Sequence, residues 1–305
     1  MIPGFDKFEA AFLPHRESFI LIGGTAVQMV LGQYETAKGV ANRARVTHDL
    51  DLLIVTERLS SEFKAAFHKF ISSGEYTCFF NGERPHYYRF MSPKNSAYPS
   101  KIELLAHTLL DLPEVRYTPL DLDADESMSA MVLDEELYQY ALSHCELKHG
   151  FNCLKSEALL VFKITAYLNL MEEYKQTNDA RRKNDALKHR NDVFRVLEHI
   201  APSVRAEIPQ ELNARIQAFL RDFDLGGANY HEWEAISQAI ASPYLALDPT
   251  PLLLAYRRLF DLQDSKPIEA NSSLRSLAHT WTEDPVADKA ISEMRTIDKD
   301  LWKGL

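Results

Sequence analysis

Phe19-Ile20-Leu21-Ile22-Gly23-Gly24-Thr25-Ala26-Val27-Gln28-Met29-Val30-Leu31 and Thr47-His48-Asp49-Leu50-Asp51-Leu52-Leu53-Ile54-Val55 are the stretches that decide the fold. In the first, four apolar residues in a row predict a short strand covered on both faces. Gly23-Gly24 then allows a sharp turn and close approach of a ligand to the backbone. Thr25 can cap the apolar helix that follows, Ala26 to Gly32, or offer its hydroxyl to a ligand. A helix start that turns free N–H groups toward a glycine-rich bend is suited to phosphate. In the second stretch, side chains alternate between faces, so Asp49 and Asp51 project together and Leu50 and Leu52 enter the core. Two carboxylates on one face repel each other and lose solvation, a cost that a cation between them offsets. Together the stretches predict a site for a triphosphate and a divalent metal.

Outward from this pair the chain reads as mixed strands and helices. Residues 5–17 have a helical pattern around Phe5, Phe8 and Phe12. Residues 33–46 are polar, with Gly39, Asn42, Arg43 and Arg45, and predict a loop that closes over a ligand. Ser60 to Ser72 carries Phe63, Ala66, Phe67 and Phe70 on one helical stripe. Tyr76–Phe80 and His86–Met91 predict two strands joined by the turn Asn81-Gly82-Glu83-Arg84-Pro85. Lys101-Ile-Glu-Leu-Leu105 predicts a further strand, with Glu103 as a third carboxylate in an apolar setting. Leu109 to Glu126 reads as loop, Ser127–Leu133 and Leu142–Leu147 as strands, and Asp134–Tyr140 as a turn of helix.

From Ser156 onward the pattern is helical. Ala158 to Met171 is apolar nearly all round, yet Lys163 shares a stripe with Leu159, Ala166 and Leu170. A lysine there must reach an anion or bear a large desolvation cost. Asp185 to Ile200 predicts a second helix, with Lys188, His189 and Asp192 on neighbouring turns. The run 175–190 is rich in Lys and Arg, which makes it either a solvated face or a surface that steers an RNA backbone. Further helices are predicted at Gln210–Phe223, His231–Ala241, Leu252–Leu262 and Ala287–Leu301, with no chemical motif in them.

The composition belongs to a globular protein: 305 residues, 46% hydrophobic and 26% charged. A net charge of −10 argues against a general nucleic-acid coat, though not against a local basic patch. No apolar run is long enough for a bilayer, the start lacks a signal-peptide pattern, and Cys78, Cys145 and Cys153 are scattered. The chain is therefore expected in the cytoplasm with reduced thiols and no membrane partner. His48 and His189 have no metal-ligand spacing.

A strand ending in Gly23-Gly24, an apolar helix, Thr47-x-Asp49-x-Asp51 opening the next strand and an acid at Glu103 resemble the nucleotidyltransferase superfamily typified by DNA polymerase beta. Within it the chain is most similar to AbiEii-like toxins and their bacterial relatives, which share a helical lysine motif and a later Lys–Asp helix, matched by Lys163 and by Lys188 to Asp192. The resemblance covers residues 18–200. It implies an α+β fold, with a mixed-sheet catalytic core at 1–150 and a helical domain at 151–305 whose first part, 151–200, completes the active site. It also implies a transfer of NMP from an NTP to an acceptor hydroxyl, on the 3′ end of a tRNA or on a protein, as the toxin of a toxin–antitoxin or phage-defence pair. Asp49, Asp51 and Glu103 would be catalytic and would hold two Mg²⁺ ions, with Mn²⁺ as a substitute. Gly23, Gly24, Thr25 and Lys163 would bind the nucleotide, with Lys188 and Asp192 in support. The gap from Gly24 to Asp49 is long for the family, which makes 33–46 an insertion that shapes acceptor choice. The third acid is Glu where Asp is common. Transfer to a small aminoglycoside-type acceptor and a catalytically inactive nucleotide-binding or interaction module are the alternative functions.

Overall fold

The computed structural model describes residues 3–37, 47–81, 84–107, 117–119 and 129–262. Its strands are β1 (Phe19–Ile22), β2 (Asp49–Ile54), β3 (Thr77–Asn81), β4 (Arg84–Met91), β5 (Lys101–Ala106), β6 (Tyr117–Pro119), β7 (Ser129–Val132), β8 (Cys145–Lys148) and β9 (Phe151–Leu154). Its helices are α1 (Phe5–Phe12), α2 (Gly23–Ala37), α3 (Ser61–Gly74), α4 (Glu135–Ser143), α5 (Ser156–Thr177), α6 (Ala180–Leu197), α7 (Gln210–Phe223), α8 (Trp233–Ile240) and α9 (Thr250–Leu259). The protein is α+β, built on a mixed sheet in the order β3-β4-β5-β2-β1-β9-β8, with β7 and β6 continuing from the far half of β5. β2 runs antiparallel to β1 and parallel to β5, and β4 is antiparallel to β5.

Each face of the sheet has its own chemistry, set by the period-two alternation of strands. Phe19 and Leu21 of β1, Leu50 and Leu52 of β2, Ile102 and Leu104 of β5 and Phe90 of β4 share one face and are buried. Helices α1 and α3 cover that face with phenylalanines: Phe8 meets Phe19 at 5.7 Å, Phe12 meets Phe70 at 5.2 Å and Phe67 meets Phe90 at 5.3 Å between centroids. Ser60 starts α3 as an N-cap, its hydroxyl accepting from the Phe63 N–H at 3.1 Å. The opposite face carries Ile20, Ile22 and Leu53, and further along the strands the polar side chains of Asp49, Asp51, Lys101, Glu103 and Arg89.

The helical pattern of residues 5–17 divides in two. α1 ends at Phe12, and a 3₁₀ segment, Leu13–Ser18, leads into β1 because Pro14 cannot sit deep in an α-helix. Helix α2 starts at the glycines and extends to Ala37, longer than the apolar stretch 26–32 indicates. The remainder of the expected loop, 38–46, lies outside the described residues. Leu142 closes α4 instead of opening a strand: Asp134 caps that helix, and its buried stripe of Leu137, Tyr138, Tyr140 and Ala141 carries it on to Ser143. Strand β6 falls within the stretch read as loop. Strand β9 has no counterpart in the sequence reading. It forms a hairpin with β8 around His149 and Gly150, both at positive φ, and lies parallel to β1.

The sheet thus draws strand β9 from beyond residue 150, and residues up to Leu262 form one compact unit. Helix α6 folds back on α5 through Asn178, which takes the left-handed conformation at φ 54. Phe194, Phe219, Phe223 and Trp233 then join α6, α7 and α8 in an aromatic cluster. The helix expected at 287–301 lies outside the described residues. Among the described residues no helix is long and apolar enough to cross a membrane.

Candidate functional site

The two halves of the motif meet at the junction of β1, α2 and β2. In the β1–β2 ladder Ile22 lies opposite Asp51, so the glycine that follows Ile22 sits against that carboxylate. Gly23 has φ +64, and a Cβ on it would fall 1.8 Å from Oδ2 of Asp51. A Cβ on Gly24 would lie 2.9 Å from Oγ1 of Thr47. Both glycines are required by space, and the first also by backbone conformation. Thr25 is fully buried, and its hydroxyl donates to the Asp49 carbonyl at 2.7 Å. Thr25 therefore fastens the helix start to the carboxylate strand. The Asp49 N–H is held by Oγ1 of Thr47 at 3.3 Å.

The parallel β2–β5 ladder sets Asp49 opposite Lys101 and Asp51 opposite Glu103, and the antiparallel β4–β5 ladder sets Arg89 opposite Glu103. Glu103 is 9% exposed and both its oxygens are engaged. Oε1 accepts from Nε of Arg89 at 2.5 Å and Oε2 from Nζ of Lys101 at 2.6 Å. The same ammonium lies 3.1 Å from Oδ2 of Asp49. Burial by itself would lower the Lys101 pKa, but Glu103, Asp51 and Asp49 outweigh it and hold the ammonium above the usual lysine range.

Asp51 is the exception in this row. Among the described residues no hydrogen bond or ion pair reaches its carboxylate. Burial first, then the charges of Glu103 and Asp49, push its acid up to about 6, against the opposing fields of Lys101 and Lys163.

Lys163 comes from α5, and its side chain is 6% exposed. Its Nζ donates to Oδ2 of Asp192 on α6 at 2.8 Å, and Oδ1 of Asp192 also faces Nη1 of Arg195 at 3.5 Å. The lysine on an apolar stripe has therefore found its anion within the protein, and its field extends to Asp51. His189 lies beside this pair, with its buried Nδ1 lacking a partner among the described residues. Burial and the nearby Lys163 push it down to about 3, so the ring is neutral at ordinary pH. Lys188 stands apart: it pairs at 2.5 Å with Asp185, and both side chains are half exposed.

The structure thus brings Gly23, Gly24, Thr25, Asp49, Asp51 and Glu103 together, and joins Lys163 to Asp192. Sequence reasoning missed Lys101 and Arg89. The Lys-x-Glu spacing of 101–103 on a strand could have revealed Lys101. Arg89 becomes a partner only through the β4–β5 register. The oxygen donors Asp49 and Asp51 suit a hard divalent cation. Glu103, held by two side-chain cations, offers no free oxygen. Among the described residues no group of three His, Cys, Asp or Glu side chains is arranged to hold a metal.

In the basic run, four of the six Lys and Arg side chains are in ion pairs, and exposed Lys183 lies over the Tyr174 ring. Lys175 faces Glu172, Arg182 faces Glu173, Lys188 faces Asp185 and buried Arg190 faces Glu232. Comparison of the chain with protein-family models, curated proteins and solved structures finds no match.

Proposed function

We propose that the protein is a nucleotidyltransferase that moves NMP from an NTP to an acceptor hydroxyl, using Mg²⁺. The observation that carries this reading is the close approach of Gly23 to Asp51, where a glycine bend at a helix start leaves no room for even one methyl group. A carboxylate with no ion pair among the described residues, set against a glycine bend at a helix start, supports binding of a metal-bound triphosphate. It supports the resemblance to the polymerase beta superfamily and its AbiEii-like toxins. The acceptors, a tRNA 3′ end or a protein hydroxyl, and a partner antitoxin are proposed from the resemblance alone.

In this reading the glycine bend and the α2 N–H groups hold the phosphates. Asp49 and Asp51 would hold Mg²⁺, which would supply positive charge to screen the triphosphate. Lys163, oriented by Asp192, adds positive charge on the same side. The acceptor oxygen forms a bond to the α phosphorus. The bond from that phosphorus to the oxygen bridging it to the β phosphate breaks, pyrophosphate leaves, and the hydroxyl proton passes to water.

Incubation with labelled NTPs, Mg²⁺ and tRNA or protein acceptors tests the proposal. Label should appear on one acceptor class, and Asp51→Asn should lower the rate on the order of 10³-fold. Absence of both nucleotide binding and transfer would refute it. One observation favours a second reading, a nucleotide-binding module without turnover: the full engagement of Glu103 by Arg89 and Lys101. Nucleotide binding without transfer to any acceptor would select it.

A further inference from the structure

We propose that Lys101 is a built-in replacement for one of the two metal ions, so that the site takes a single divalent ion, held by Asp51 and Asp49. This inference rests on the nucleotidyltransferase reading and deepens it.

The first ground is position. Lys101 lies on β5 opposite Asp49 and one residue pair from Glu103, so its ammonium falls between two carboxylates on the same sheet face. Its distances, 2.6 Å to Glu103 and 3.1 Å to Asp49, are those of a cation shared by two acids. The second ground is the state of Glu103. Arg89 occupies its other oxygen at 2.5 Å, so a metal at Glu103 would have to displace two ion pairs from a side chain that is 11% exposed. Removing one partner from a buried ion pair leaves an uncompensated charge, which is costly. The third ground is charge: between Asp49 and Glu103, Lys101 supplies positive charge that a second metal ion would otherwise bring. The fourth ground is the asymmetry of the row. Asp49 and Glu103 already share a cation, whereas Asp51 beside Gly23 has none among the described residues.

In this arrangement Glu103 and Arg89 are positioning residues. They hold Lys101 in place as a fixed point charge, and they do not bind the metal. Lysine suits the task because its ammonium is a compact charge with three donors.

Titration of Mn²⁺ into the full chain, followed by electron paramagnetic resonance, tests this. The probes are the four α,β-methylene nucleoside triphosphates, scored on whichever binds. The wild type should take one Mn²⁺ per chain in the nucleotide complex, with no dipolar coupling between ions. Lys101→Met frees Asp49 and Glu103 and should take two, coupled at a separation of about 3.5–4 Å. Glu103→Gln tests the same idea without removing the lysine: it should still take one Mn²⁺ per chain in the nucleotide complex, whereas Asp51→Asn should abolish binding. Two coupled ions in the wild type, or loss of Mn²⁺ in Glu103→Gln, would overturn the inference and leave the nucleotidyltransferase reading intact. Failure of every analogue to bind, together with no transfer of label, would overturn both.

Discussion

At Gly23 two independent constraints coincide. Its φ of +64 disfavours any side chain, and the Asp51 carboxylate occupies the place where a Cβ would go. Gly23→Ala should therefore cost about 2–4 kcal/mol, from the left-handed backbone and the overpacking together. Gly24→Ala should cost less, because its obstacle is the Thr47 side chain and its φ is not positive. Urea unfolding of the two variants should show that order.

Asp51 links the same site to pH. Its folded pKa, about 6, lies above the ordinary carboxylate value of 3.8, so the native state holds the proton more tightly than the unfolded chain. The stabilisation is complete below the unfolded pKa and is lost as pH rises through the folded one, on the order of 3 kcal/mol. Wild type should lose stability relative to Asp51→Asn between about pH 4 and 6. A divalent cation reverses this by favouring the ionised form. At pH 7.5, Mg²⁺ should raise the melting temperature of the wild type and leave that of Asp51→Asn unchanged.

Between elements, the α5–α6 pair shows how a functional charge can be a structural one as well. Lys163 is nearly enclosed, and Asp192 receives its ammonium. Asp192→Ala should destabilise the protein by about 3–5 kcal/mol, because the lysine is left buried without its partner. The double variant Lys163→Met, Asp192→Leu should recover most of that loss in a denaturant melt and still fail to transfer nucleotide. Full activity in the double variant would reduce the pair to a packing device. The elements themselves differ in how readable they were. Gln210–Phe223 was readable to the residue, because an amphipathic stripe of Leu212, Ile216, Phe219 and Phe223 is a local property. Phe151–Leu154 was not, because four residues carry too little periodicity to be distinguished from loop.

For the whole molecule, charge arrangement matters more than charge count. The net −10 is unchanged by folding, but four of the six basic side chains of the run 175–190 are in local ion pairs. If tRNA is the acceptor, its binding should therefore depend weakly on salt, with a slope of log K against log salt no steeper than about −2. Fluorescence anisotropy at several salt concentrations measures it, and a steep slope would point to a basic surface elsewhere. The sheet explains which parts of the site were legible. Alternation along one strand puts Asp49 beside Asp51, and Lys101 beside Glu103, whatever the rest of the chain does. Two glycines before an apolar helix likewise announce a tight bend. That Asp51 lies opposite Glu103, that Arg89 takes the second oxygen of Glu103, and that Lys101 turns toward Asp49 were decided only when β2, β4 and β5 paired in register. Side-chain alternation is a property of a single strand and is written in the local sequence. Register is a property of two strands distant in the chain, selected by which pairing buries the leucines and phenylalanines on the opposite face.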